Sequence, residues 1–177
     1  MNADFSGKVL LIIFWILPTL SVILSVAVLV KSIIHYKKTA SAVKLKYNII
    51  SIVCTILVAV SYVFNIGWLR VFGLWLGIPF IHAMIFIATN SLSADYIEHS
   101  PMLRINVVIT YITYFLAYAL LPDFGDIEGP YAFFGLIHNE AFVTVCGVVA
   151  QIALVVNIIC IVNQFIRRIT IKKTKAE

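Results

Sequence analysis

The sequence predicts an all-α, polytopic integral membrane bundle of about five transmembrane helices, with the N-terminus outside and the C-terminus inside. Three observations carry this. The 177 residues are 62% apolar and 12% charged, with a mean hydropathy of +1.04, whereas soluble domains run about 45–50% apolar and about 25% charged. The apolar residues gather into five uncharged runs, each near the roughly 20 helical residues that a crossing needs. Lys and Arg concentrate in alternate connecting segments, as the positive-inside rule requires. A chain of this length holding five spans leaves no room for a soluble domain, so 1–177 reads as one membrane domain.

The first run, 9–30, is closed by Lys31. It is too long for a signal-peptide core, has no small-x-small cleavage site and carries its basic cluster after the run, so it is read as a retained span. The second, 48–66, and third, 71–93, are separated only by "GWLR", Gly67 to Arg70. Together they exceed one helix and fit a tight helical hairpin. The fourth, 105–121, is stopped by Pro122, which cannot continue the helical hydrogen-bond ladder. The fifth, 141–166, is closed by Arg167 and Arg168.

With the N-terminus outside, eleven of the 13 Lys and Arg fall on inner segments and only Lys8 and Arg70 on outer ones. A four-span alternative puts a large basic cluster outside and is disfavoured. Trp15, Trp68 and Trp75 fall toward the outer ends of their spans, where interfacial indoles sit well. The formal charge of +5 is then the mark of flanks facing anionic lipid rather than nucleic acid. Cys54, Cys146 and Cys160 all lie inside apolar runs, which argues against a disulfide framework.

No Asp, Glu, Lys or Arg lies inside a predicted span, so the usual marks of a proton relay or voltage sensor are missing. His82 is the ionisable group nearest a span centre, three residues after Pro79 in "GLWLGIPFIHAM". Gly77, Pro79 and His82 describe a kinked, closely packed helix with a polar centre. Tyr111, Tyr114 and Tyr118 share one face of the fourth run. Ser61 and Tyr62 add polar groups in the second, and Gln151 and Asn157 in the fifth. Gly77, Pro79, His82, Tyr114, Gln151 and Asn157 therefore form the candidate intramembrane site. A packed bundle needs such groups only to pair, whereas a pore needs them to converge; pairing is the favoured reading.

No catalytic residue, cofactor-binding residue or metal ligand is assigned. Paired histidines for haem are lacking, and neither H-x-x-x-H nor C-x-x-C occurs. The loop "ADYIEHSPMLR" offers Asp95, Glu98 and His99, but no nucleophile motif accompanies them. Lysines from Lys31 to Lys46 read as a loop held on anionic lipid. The segment "LPDFGDIEGPYAFFGLIHNE" holds four of the 8 acids. It lacks an EF-hand pattern and the partners of a kinase D-F-G. Asp123 to Gly129 is expected to be a solvated acidic turn. Tyr131 to Ile137 is expected to cap the bundle or lie in the headgroup layer, with Tyr131, Phe133 and Phe134 as the outer contact residues.

The function expected is non-catalytic binding in or at the bilayer, as an accessory or assembly subunit or an immunity-type protective protein. A small oligomeric channel or transporter is the alternative, and a membrane enzyme ranks third. Expected partners are the lipid bilayer, with a membrane protein or a second copy of the chain, and no nucleic acid. The expected location is the plasma membrane, or the inner membrane of a Gram-negative cell.

Overall fold

The computed structural model describes residues 12–39, 41–125 and 129–174. The fold is all-helical. A π-helical turn, Ile12–Ile16, leads into α1 (Leu17–Thr39), followed by α2 (Val43–Phe64), α3 (Trp68–Trp75) and α4 (Ile78–Ala94). A 3-10 turn, Ile97–His99, precedes α5 (Pro101–Ala119), and α6 (Glu140–Thr174) closes the chain. The stretches with α1, α2, α5 and α6 are each long and apolar enough to cross a membrane, and α3 with α4 adds a fifth crossing if the bent pair counts as one. Residues 9–11 of the first predicted run lie outside the described residues.

Three helices overrun their apolar stretches at the basic end. α1 continues through Lys37 and Lys38, α2 already includes Lys44 and Lys46, and α6 runs past Arg167 and Arg168. Lys and Arg are good helix formers, and their stems lie along apolar surface while their charged heads reach for water. The helix therefore ends well beyond the point where the apolar pattern does.

The third predicted span is two helices that meet at 68°, which corrects the expectation of one kinked helix. Gly77 makes the break by adopting φ 70° and ψ 8°, a left-handed conformation costly to a residue with a Cβ. Its N–H donates to the Leu74 carbonyl at 2.9 Å, and its own carbonyl accepts from Ile81 N–H at 3.1 Å. Pro79 falls in the first turn of α4, where a missing N–H leaves no bond unmade. The proline thus opens a helix here instead of bending one.

α5 is the central element. Half of its apolar stretch is inside the bundle, against 17% for α1. Phe86 and Ile87 of α4 pack with Leu103, Val107, Tyr111, Tyr114 and Tyr118 of α5 in the main core. Large apolar side chains cover the outside, among them Val22, Ile56, Val63, Phe142 and Ile152, the surface that a bilayer solvates. Polar contacts join the helices as well: Asn48 Nδ2 donates to Ser32 Oγ at 2.6 Å, and the Tyr111 hydroxyl donates to the Tyr47 carbonyl at 2.9 Å.

The connection from α5 to α6 folds back on the bundle through two short antiparallel contacts, Asp123 with Tyr131 and Ala132 with Ile137. Between the latter pair, Phe133, Phe134 and Gly135 all take positive φ, at 49°, 59° and 72°. This left-handed turn costs roughly 1–2 kcal/mol at each non-glycine position. Phe133 N–H donates to the Ala119 carbonyl at 3.1 Å, tying the turn to the end of α5. A Cβ on Gly135 would lie 3.0 Å from the Phe64 carbonyl, at the end of α2.

Candidate functional site

Three polar or hollow features surround α3 and α4, and each is built by different chemistry. The first is a buried ion pair. Arg70 and Asp123, expected in an exposed loop and a solvated turn, are 0% and 1% exposed. Asp123 lies at the N-terminus of α3, where the first N–H groups have no helical acceptor. Its Oδ1 accepts from Leu69 N–H and its Oδ2 from Arg70 N–H, both at 2.9 Å. Trp68 N–H donates to the Phe124 carbonyl at 3.1 Å. A carboxylate there also suits the positive end of the helix dipole.

The Arg70 side chain turns the other way, into the bundle. Nη2 donates to the carbonyls of Tyr118 at 2.7 Å, in the last turn of α5, and Leu121 at 3.0 Å, just beyond it. Nη1 donates to Ser61 Oγ at 3.3 Å, and the guanidinium stands 4.8 Å from the Tyr62 ring centroid. Nε is 3.8 Å from Asp123 Oδ2. Gly67 is required beside this pair, because a Cβ would approach Asp123 Oδ1 to 2.5 Å. The solvated-turn expectation thus fails at Asp123: its carboxylate supplies acceptors that α3 lacks. Asp126 and Glu128 lie outside the described residues.

The aromatic half of the loop is partly folded against the bundle. Tyr131 is buried and its hydroxyl donates to the Ile66 carbonyl at 2.7 Å. Phe133 and Phe134 are half-buried, Phe134 with its ring 6.4 Å from that of Phe115. Phe124 and Leu136 are exposed apolar groups of this loop.

The second feature is a polar seam joining α4, α5 and α6. Asn157 Nδ2 donates to the Thr110 carbonyl at 2.8 Å and to Thr113 Oγ1 at 3.0 Å. Its Oδ1 is therefore the acceptor that faces His82 Nε2 at 2.9 Å, and Nε2 carries the proton. His82 Nδ1 then accepts from the Tyr118 hydroxyl at 2.7 Å. This assignment of the imidazole tautomer follows from the network, since a carbonyl can only accept. Tyr114 meets His82 edge-on at 5.1 Å and stacks on Phe86 at 3.9 Å.

Further along the seam, Gln164 Nε2 donates to Thr110 Oγ1 at 2.7 Å and Asn90 Oδ1 at 3.2 Å, while its Oε1 accepts from Ser93 Oγ at 2.8 Å. Of the six residues in the predicted intramembrane site, His82, Tyr114 and Asn157 come together. Gly77 and Pro79 are buried at the α3–α4 break, and Gln151 is exposed on the outside of α6. Gln164, Asn90 and Thr110 were missed. The signal was present: Asn157 and Gln164 are seven apart, so they share a face of α6.

The third feature is a cavity of about 540 Å³ on the other side of α4, between it, α1 and α2. Ser21, Val22, Ile56, Ala59, Tyr62 and Ala83 are among its walls, and Pro79 and Tyr114 also line it. Two of its hydroxyls are bonded to their own helices: Ser25 Oγ donates to the Ser21 carbonyl at 2.8 Å and Thr55 Oγ1 to the Ser51 carbonyl at 2.9 Å. The cavity therefore offers apolar surface and few groups to orient a polar ligand. Val22, Ile56 and Val63 belong both to its lining and to the exposed outer surface, so its mouth opens sideways into the bilayer region. Among the described residues no group of three His, Cys, Asp or Glu side chains could hold a metal ion.

Compared with known proteins, the chain matches no family model, no curated protein and no solved structure.

Proposed function

We propose that this multi-spanning membrane protein acts by non-catalytic binding within the bilayer, taking the apolar chain of a lipid or lipid-like molecule into the cavity between α1, α2 and α4. The observation that carries the reading is the cavity itself: about 540 Å³, apolar-lined and open sideways between lipid-facing helices. A chain entering there exchanges bilayer for protein, so its binding rests on packing and shape, because little hydrophobic driving force exists inside lipid. The seam supports fastening over conduction, since His82, Asn157 and Gln164 have protein partners. The distribution of Lys and Arg supports an N-out, C-in insertion in a plasma membrane. Accessory or protective roles fit this reading, with the bound chain belonging to the molecule that is sensed or sequestered.

Photo-crosslinking tests it. The full chain in nanodiscs carrying a phosphatidylcholine with a diazirine in its acyl chain should give adducts concentrated on the cavity walls, such as Ser21, Ile56 and Ala83. Ala59→Phe, which fills the cavity, should remove those adducts and leave labelling of outer residues such as Ile152 intact. Adducts spread evenly over all lipid-facing helices, unchanged by Ala59→Phe, would overturn the reading.

A further inference from the structure

At the basic end of the bundle, away from the cavity just described, α4 and α6 enclose a recess of about 230 Å³ lined by Leu92, Asp95, Tyr96, Arg168, Ile169 and Lys172. We propose that this recess binds the phosphate headgroup of an anionic phospholipid, with Arg168 and Lys172 as its cations.

Charge is the first argument. The carboxylate in the recess is already neutralised: Lys44 Nζ of α2 stands 2.6 Å from Asp95 Oδ1. Among the described residues no carboxylate pairs with Arg168 or Lys172. These two cations are four apart on α6 and so share one face, and with Asp95 offset by Lys44 the recess is left with two uncompensated positive charges.

Hydrogen bonding is the second. Arg168 Nε is buried with no acceptor, while the guanidinium carbon stands 5.4 Å from the Phe165 ring centroid. The guanidinium is thus held in place on one side, and its terminal N–H groups are the donors that a phosphate oxygen would meet. Tyr96 adds an aromatic wall.

Position is the third. At about 1.5 Å per residue, the rise from Glu140 to Arg168 is about 42 Å, beyond a hydrocarbon core of about 30 Å and near the reach of the headgroups. Leu92 and Ile169 in its walls are exposed, an apolar surface against which the acyl chains of the same molecule can lie. Basic pockets between membrane helices at this depth suit anionic headgroups. A soluble anion would use the cations but not the apolar walls beside them.

The test compares the full chain in nanodiscs of phosphatidylcholine alone and with phosphatidylglycerol, reading retained phosphatidylglycerol by native mass spectrometry and Tm by scanning fluorimetry. The expected preference for phosphatidylglycerol is on the order of tenfold for two cations near the surface, with a matching rise in Tm. Arg168→Gln and Lys172→Gln should each reduce the preference several-fold, and Arg168→Lys should restore part of it. Asp95→Asn, which removes the carboxylate of the lining and frees Lys44, should strengthen the preference, a gain that misfolding cannot mimic. Equal retention of both lipids, or a preference unmoved by Arg168→Gln and Asp95→Asn, would overturn the proposal. Inorganic phosphate that raises Tm in phosphatidylcholine discs as much as phosphatidylglycerol does would also overturn it, by assigning the recess to a free anion.

Discussion

Between α4 and α6 the bundle is joined by a network in which His82 and Ser93 bond directly to Asn157 and Gln164. Between α4 and α1 it leaves a cavity of about 540 Å³. The two sides of the same helix thus meet opposite fates. On the seam, polar groups in a low-dielectric interior must find partners, and finding them fixes the helices in register. On the cavity side the Ser25 and Thr55 hydroxyls bond back to their own helices, so they do not tie α1 to α4 across the gap. The polar residues that attract the eye in the sequence do the fastening, and the candidate binding surface is made of side chains with little chemistry of their own.

The largest effect belongs to the buried ion pair that anchors α3 beside both regions. Asp123→Ala leaves Arg70 buried without its counter-charge and two N–H groups uncapped, which should cost about 3–5 kcal/mol and appear as a large fall in Tm in detergent. The double variant Arg70→Met with Asp123→Leu should recover part of that loss. A single variant with wild-type Tm would show that α3 is held by other means.

Next comes the seam. His82→Leu strips partners from the Tyr118 hydroxyl and Asn157 Oδ1, at about 1–3 kcal/mol. Tm should fall while acyl-probe labelling of the cavity survives. Labelling lost at unchanged Tm would join the seam to the binding site. On the cavity side the sign should reverse: Ala59→Phe should abolish labelling and hold or raise stability, by about 0.5–2 kcal/mol where filling succeeds. A large fall in Tm would mean that the cavity walls are already closed around that position. Smallest is Gln151→Leu, on the exposed face of α6, which should change stability within about 0.5 kcal/mol and leave labelling unaltered. A larger loss in a thermal scan would reveal a partner for that amide.

The spans were legible because apolar runs of spanning length have few other readings. His82 and Asn157 were legible as interior polar groups. The break at Gly77 was less so: Gly and Pro two apart read equally as a kink or as an end and a new start, and only the left-handed φ of Gly77 decides between them. The buried ion pair was hidden for a different reason. Arg70 and Asp123 lie far apart in the chain, each beside a predicted span end, where a charge ordinarily meets water. One hint was available. A linker as short as "GWLR" between two membrane helices gives its arginine little length with which to escape. The cavity left no trace, since its walls are apolar residues like those of any lipid-facing helix, and only the mutual placement of α1, α2 and α4 creates it.

The cap of α3 also sets an order of assembly. Leu69 and Arg70 emerge from the ribosome more than 50 residues before Asp123, a delay of several seconds at about 5–20 residues per second. Until α5 and the following loop arrive, α3 has bare amides at its start and an arginine without a counter-ion, and Arg70 stays with water or lipid phosphate. The short helix can therefore settle against the bundle only after α5 and the loop behind it have been made, while the seam waits longer still, for Asn157 and Gln164 of α6.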